Sequence, residues 1–470
     1  SPEGQGSPCE APRAVSLATR SGFGVEVAAI ARLGIPLGIA QLATFLMGMV
    51  DTACVGRVSP EALAAVSLGN NILYATSMLG AGLCFALDPL ISQAVGAKEH
   101  HQAWRWWTFG RLVGGLVGIP LALFGVLICS NLHWFGIDPS LHGLTAEYAL
   151  YRAPGIVMYL VFMAGRSLLQ AYEDTRSVLI AAGLANVVNL LLDLVLVFGD
   201  EGLFMLGLPA LGIPALGAKG AGITTAFSAL TLALAITWRT RRFRPERLGT
   251  QGTQRPMLRP LVRLAAPIGL QVCAETWLFS LVGLLAARIS AIAVGGHQIA
   301  LTLAAATFMV ALGISNATAV RVGQAIGAGH QKRVRTIGFA GMATTTGWMS
   351  LTALAFLIIP GPLVRILTDE PQVLSCAESL LGIAAAFAIF DAVQVAMAGA
   401  LRGAGDVHIP FVLTALGQWG LGFPVALYLG LYTDMGVRGL WVGLTSGLLG
   451  IALVLSLRFW VLTKRTIARV

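Results

Sequence analysis

The sequence predicts an all-α polytopic membrane protein, with twelve transmembrane helices in two pseudo-twofold related six-helix lobes around a central cleft. Three observations lead there. Of 470 residues, 56% are hydrophobic and 11% charged, against about 25% charged in an average soluble protein, so the polar surface of a soluble body this size is missing. Apolar runs of about 20 residues, the length that crosses a hydrocarbon core of about 30 Å, recur along most of the chain. The second half also repeats the first.

The apolar runs place spans at 29–53, 62–87, 108–131, 146–170, 177–199, 217–238, 262–287, 293–317, 337–359, 375–400, 409–431 and 437–463. This divides the chain into a cytosolic tail (1–28), an amino-terminal lobe (29–238), a basic cytoplasmic connector (239–261), a carboxy-terminal lobe (262–463) and a short cytosolic tail (464–470). The first tail is rich in Gly, Ser, Pro and charge and lacks the apolar core of a signal peptide.

The duplication is visible in the sequence itself. "RLGIPLGIAQ" matches "RLAAPIGLQV", and "SQAVGAKEHHQ" matches "GQAIGAGHQKR". Arg32 and Arg263, Pro36 and Pro267, Gln93 and Gln324, and Gly96 and Gly327 are each 231 residues apart. "LLQAYEDTRS" around Asp174 answers "ALRGAGDVHI" around Asp406 at an offset of 232, and the first half carries a longer loop near 200–216. Parallel repeats about an axis along the membrane normal are a transporter signature, with the substrate site expected between the halves. Pro36 and Pro267 fall early in their spans, where each removes a backbone hydrogen bond and acts as a static kink or a hinge.

The net charge of +9 does not indicate nucleic acid, because of where it lies. Eight arginines fall between Arg239 and Arg263, with further basic clusters near Lys98, Lys332 and Lys464, whereas "GIDPSLHG", "DEGLF" and "TDEPQ" are poor in Lys and Arg. This is the positive-inside pattern with an even number of spans and both termini cytoplasmic. Trp104, Trp106 and Trp107 beside a basic loop read as an interfacial anchor. The six cysteines show no CxxC spacing and are expected to form neither disulfides nor a metal site.

Acids inside the spans carry the functional signal. Asp51, Asp193, Glu275 and Asp391 lie well within apolar stretches, where even the mildest insertion scale charges roughly 2.5–3.5 kcal/mol for a helix-centre Asp. Asn186, Asn189 and Asp193 share one helix face; Gln271 and Glu275 are four apart, and Asp391 and Gln394 three apart. No span places Lys or Arg beside its acid as a structural partner. An acid in this setting is readily protonated, or holds a cation together with amide and carbonyl oxygens, so coupling to H⁺ or Na⁺ follows. Asp88 reads as a polar helix-end residue, and His297 as a hydrogen-bonded packing histidine.

The motifs "MVDTACVGR", "SQAVGAK", "LLQAYEDTRSVLIAAGLANVVNLLLD", "GGHQIAL", "RVGQAIGAG" and "ALRGAGD" together resemble the multidrug and toxic compound extrusion (MATE) family over about residues 29–460. The resemblance implies two six-helix lobes around a cleft that export organic cations and other amphiphiles in exchange for H⁺ or Na⁺. Asp51 with Asn189 and Asp193 resembles the family's amino-lobe cation site, while Glu275 and Asp391 resemble the carboxy-lobe acidic pair of the NorM-like branch and are the residues that would hold Na⁺. No cofactor is implied, and the expected partners are small amphiphilic or cationic molecules and the lipid bilayer, with the chain a monomer in the plasma membrane.

A lipid-linked precursor flippase of the same superfamily is the nearest alternative, and would need basic residues in its cavity for a pyrophosphate headgroup. A nucleotide-driven pump lacks its GxxxxGK[ST] loop here, and a hydrolase its HExxH or a usable GxSxG. The positive-inside pattern gives the first prediction. A cysteine probe placed at Gln251 should stay unlabelled by an impermeant reagent outside intact cells, and strong labelling there would overturn the span count or the orientation.

Overall fold

The structure, a computed structural model, describes residues 22–205, 207–246 and 255–470. Cys9, Gln251 and most of the predicted tail and connector lie outside the described residues. Twelve helices are long and apolar enough to cross a membrane: α1 (Phe23–Gly56), α2 (Pro60–Gly96), α3 (His100–Ser130), α4 (Pro139–Ala171), α5 (Thr175–Phe198), α6 (Gly217–Phe243), α7 (Met257–Ile289), α8 (Ala291–Gly327), α9 (Gln331–Ile358), α10 (Pro371–Gly403), α11 (His408–Leu431) and α12 (Val437–Leu462). They correspond one to one with the predicted spans, although several run longer. Helix α1 begins at Phe23, so part of the expected tail is helical, and α2 continues through Asp88 and Pro89 to Gly96.

Local chemistry sets the helix ends. Ser59 caps α2 by accepting from Ala62 N at 3.0 Å, and Ser290 caps α8 by accepting from Ala293 N at 3.0 Å, the same device in both lobes. The longer first-half loop is organised by Asp200, whose carboxylate accepts from the backbone N–H of Leu211, Gly212 and Ile213 at 3.0–3.1 Å. Helix α11 contains a π-helical segment, Leu416–Gly422, an irregularity that often marks functional positions.

Burial decides which faces look outward. Leu112, Leu116, Leu123, Leu351, Leu354 and Leu453 are exposed and apolar, as lipid-facing positions must be. Trp104, Trp106 and Trp107 correct the expectation of an interfacial anchor, because all three are buried. Trp104 and Trp107 share a helix face and stack at 4.4 Å, Arg111 lies 4.9 Å over Trp107, and Trp106 meets Phe109 edge-on. These rings fill the first lobe.

The two lobes close on each other at the end of the molecule where α1 starts and α2 and α8 finish. Gln93 of α2 donates to the carbonyl of Gly403 on α10 at 3.1 Å, and Gln324 of α8 donates to the carbonyl of Ala171 on α4 at 3.0 Å. The donors are 231 residues apart and the acceptors 232, so these are two copies of one cross-lobe bond. A Cβ on Gly96 would strike the Gln324 carbonyl, and one on Gly327 would strike the Gln93 carbonyl. The repeated "QAVG" and "QAIG" therefore build a seam in which each glycine admits the other lobe's backbone.

Charge reinforces the seam. Glu26 of α1, fully buried, accepts from Arg321 of α8 at 2.8 Å and pairs with Arg333 of α9, while Arg321 also reaches Glu173 at 3.3 Å. Arg469, beyond α12, pairs with Glu99 at 2.6 Å, and this holds the Glu99 carboxyl below the usual range. That tie is present near neutrality and is lost as pH falls through the lowered value.

The seam generates the second prediction. Gly327→Leu should cost about 1–3 kcal/mol by overpacking, shifting the population toward an opened seam by about 5- to 150-fold. The readout is the reaction rate of a single cysteine at Ser92, which is wholly buried, in a background without other cysteines. Unchanged protection would show that the glycine is not what lets the lobes close.

Candidate functional site between the lobes

Away from the seam the lobes part around a cavity of about 1240 Å³, larger than the few hundred to about 1,000 Å³ typical of small-molecule sites. Both lobes contribute to its wall, chiefly through α1, α2, α4 and α6 on one side and α7, α8, α10 and α11 on the other. The lining includes Tyr74, Tyr159, Phe279, Phe308 and Phe387 beside Asn70, Asn71 and Gln418. Phe279 packs edge-on to Phe387 at 6.2 Å, and Phe387 to Trp441 at 5.5 Å.

In the first lobe, Asp51 reaches the cavity from α1 and is held on both oxygens. Asn189 of α5 donates to Oδ1 at 2.8 Å, and the Thr225 hydroxyl of α6 donates to Oδ2 at 2.7 Å. Donors aimed at both oxygens favour the charged carboxylate. Asp193, one helical turn beyond Asn189, lies behind Asp51 and off the wall, with no exposure and no hydrogen-bond partner for either oxygen among the described residues. Asn186 does not join this cluster, since its amide donates to the Ala182 carbonyl of its own helix at 2.9 Å.

In the second lobe, Glu275 and Asp391 both face the cavity. Gln271 donates to Glu275 Oε1 at 3.1 Å and Gln394, from α10, at 3.4 Å. The i to i+4 spacing therefore supplies one donor and the facing helix the other, which leaves Oε2 and the Asp391 carboxyl toward the cavity. No Lys or Arg lies within ion-pair distance of Asp51, Glu275 or Asp391 among the described residues. Three carboxyls that lack a protein counter-charge thus share one cavity. Among the described residues no group of three His, Cys, Asp or Glu converges as a metal site, so a cation here would rest on carboxyl and amide oxygens.

Two expectations change. Asp88 is not at a helix end: it sits eight residues inside α2 with 1% exposure and accepts from Ser167 at 2.6 Å. Basic side chains are also present, because Arg152 and Arg402 line the cavity and Arg166 is buried beside Asp88. Arg152 and Arg166 were readable within the span 146–170, whereas Arg402 lies two residues past a predicted span end and was hidden by that boundary. His297 is buried and edge-on to Trp441 at 5.9 Å, with no hydrogen-bond partner for either ring nitrogen among the described residues. It packs, as expected, but without the expected hydrogen bond.

Duplicated six-helix lobes, closed at one end and parted around an acid-bearing cavity, define a two-lobe membrane transporter architecture. The chain belongs to the MatE family, whose profile matches residues 36–195 and 267–428, one stretch in each lobe. It is 33% identical to the multidrug resistance protein NorM of Burkholderia vietnamiensis, over 93% of this chain and 94% of the relative. It is 32% identical to the multidrug resistance protein PmpM of Pseudomonas aeruginosa, over 92% and 91% respectively. A solved outward-facing multidrug resistance transporter of the MATE family has the same fold, with a TM-score of 0.83 at 20% identity over 94% of this chain and 97% of that one.

Asp88 supplies the third prediction. Asp88→Asn would leave the buried Arg166 without its neighbouring negative charge, a change worth about 3 kcal/mol in buried ion-pair series. The thermal midpoint of the purified protein in detergent should fall clearly. A midpoint equal to that of the unaltered protein would return Asp88 to the status of a peripheral polar residue.

Proposed function

We propose that the protein is a secondary active multidrug exporter, which moves organic cations and amphiphilic compounds out of the cell in exchange for H⁺ or Na⁺. The observation that carries this reading is the set of three carboxyls without protein counter-charges, Asp51, Glu275 and Asp391, on the wall of one interlobe cavity. Each needs a cation or a proton when the cavity is dry, and a cationic substrate and a coupling ion then compete for it. Closure at one end and opening at the other suits alternating access by rocking of the lobes. Aromatic rings along the same wall suit the apolar bodies of amphiphiles.

On this reading the protein lies in the plasma membrane as a monomer, with the lobes at 29–238 and 262–463, both termini and the connector 239–261 in the cytoplasm, and the cavity opening outward. Glu275 and Asp391, with Gln271 and Gln394, hold the coupling ion in the second lobe. Asp51, Asn189 and Asp193 form a first-lobe site, in which Asn189 acts through Asp51. One charge moving down 100 mV releases about 2.3 kcal/mol, enough for roughly a 50-fold gradient at one-to-one coupling. The flippase alternative fares less well, because the two arginines on the wall come from opposite lobes and share the cavity with three carboxyls.

The fourth prediction concerns these acids. Glu275→Gln and Asp391→Asn keep shape and hydrogen bonding but remove the charge switch, and each should reduce gradient-driven efflux about tenfold or more, a loss of at least about 1.4 kcal/mol in coupling. Asp51→Asn should also impair export if the first lobe couples. The assay is efflux from proteoliposomes under imposed Na⁺ and H⁺ gradients separately, normalised to inserted protein. Normal efflux by the Glu275→Gln, Asp391→Asn double variant would sink the assignment, and export that survives loss of both gradients would sink ion coupling.

A further inference from the structure

The cavity floor, between the acids and the interlobe seam, carries charge of the opposite sign. Arg402 of α10 lines the cavity, and its Nη2 donates to the neutral side chain of Asn316 at 2.8 Å. Its guanidinium lies 4.8 Å from the ring of Phe85, which also faces the cavity. Behind the same ring is Arg166, at 5.5 Å, with 2% exposure and no hydrogen-bond partner for Nε, Nη1 or Nη2 among the described residues.

The only acid placed deep among these groups is Asp88, which is within electrostatic reach of both arginines but forms no ion pair with either, and whose Oδ2 has no partner among the described residues. Glu275 also feels Arg402, again beyond ion-pair distance. Two guanidiniums against one carboxyl leave the floor with a net positive charge. Buried charge without a partner is costly, and a guanidinium fork suits a planar carboxylate.

We propose that Arg402, with Arg166 behind Phe85, forms a subsite for the carboxylate of a zwitterionic amphiphile whose cationic group lies toward Glu275 and Asp391. This rests on the export function above and narrows its substrate class. The wall then reads as bipolar, acids toward the middle and guanidinium at the floor, with aromatic rings between. Had the two signs been meant only to neutralise each other, Arg402 would pair directly with Glu275 or Asp88. Instead each keeps free hydrogen-bonding capacity, as two ends of one ligand would require.

The test compares a fluorescent amphiphile bearing one tertiary amine and one carboxylate with its methyl ester. Binding is measured by fluorescence polarisation on the purified full-length protein, and export in proteoliposomes. The expected result is that Arg402→Gln lowers the zwitterion-to-ester affinity ratio about tenfold or more, the scale of a lost charge-assisted hydrogen bond, and that Arg402→Lys restores part of it. An unchanged ratio, or equal loss for both ligands, overturns the subsite.

A second arm titrates chloride against gluconate. Retention of zwitterion binding across the titration supports a substrate carboxylate, whereas displacement by chloride with little effect on the ester assigns the floor to a free inorganic anion and overturns the zwitterion. Should the unaltered protein neither bind nor export the ester, the export function itself fails, an outcome distinct from a failed ratio.

Discussion

A carboxylate in hydrocarbon has no solvent, and this constraint orders the rest of the structure. Asp51, Glu275 and Asp391 can persist in apolar helices only if those helices turn them toward a shared polar space, which requires two lobes that part along part of their length. The amides complete the arrangement: Asn189 and Thr225 secure Asp51 from neighbouring helices, and Gln271 and Gln394 steady Glu275 from two sides. The donors fix where the carboxylates point without supplying the positive charge that would end their need for a cation. A lysine in place of Gln394 would satisfy Glu275 permanently and leave nothing for a moving ion to do.

The seam is the complement of that cavity. The Gln93 to Gly403 and Gln324 to Ala171 bonds obey the sequence duplication, and Glu26, Arg321, Arg333 and Glu173 add charge across the same junction. Each bond crosses from one lobe to the other, so a state open at this end must break them together. Because neither glutamine holds its own lobe together through these bonds, releasing them leaves the lobes intact. Such an interface has two discrete arrangements rather than a continuum.

Much of the fold was legible because lipid imposes simple rules. Span length, charge placement and a repeat with constant offset gave the twelve helices and two lobes, and a charged residue in an apolar run marked the acids. What escaped depended on contacts between distant segments. The helical spacing that grouped Asn186 with Asn189 and Asp193 could not show that Asn186 bonds its own backbone, nor that Asn189 reaches α1. The tryptophans beside a basic loop carry the composition of an interfacial belt, and only packing shows that they face α3's own lobe. Asp88 looked terminal because Pro89 suggested a helix end, yet α2 runs through that proline, as membrane helices can. The guanidiniums near the floor went unweighed because the acids drew the reading of polarity.

The duplication explains how one backbone plan carries unequal chemistry. At the same offsets, Glu275 corresponds to Thr44, Asp391 to Tyr159, Asp51 to Val282 and Arg402 to Gln170, so each charged position on the cavity wall faces a neutral residue at the equivalent site of the other lobe. The seam behaves oppositely: Gln93 and Gln324, like Gly96 and Gly327, stay paired in identity and in contact. Rocking two lobes about a common axis requires that they meet symmetrically where they close, whereas a ligand without twofold symmetry requires that they differ where they bind it. Closure and recognition therefore occupy different stretches of the same helices. On α2 they are separated by the few residues from Phe85, at the cavity, to Gln93, at the seam, a distance of about 12 Å along a helix, and Asp88, between them, is where a change of charge state in the cavity lies nearest to the bonds that hold the lobes together.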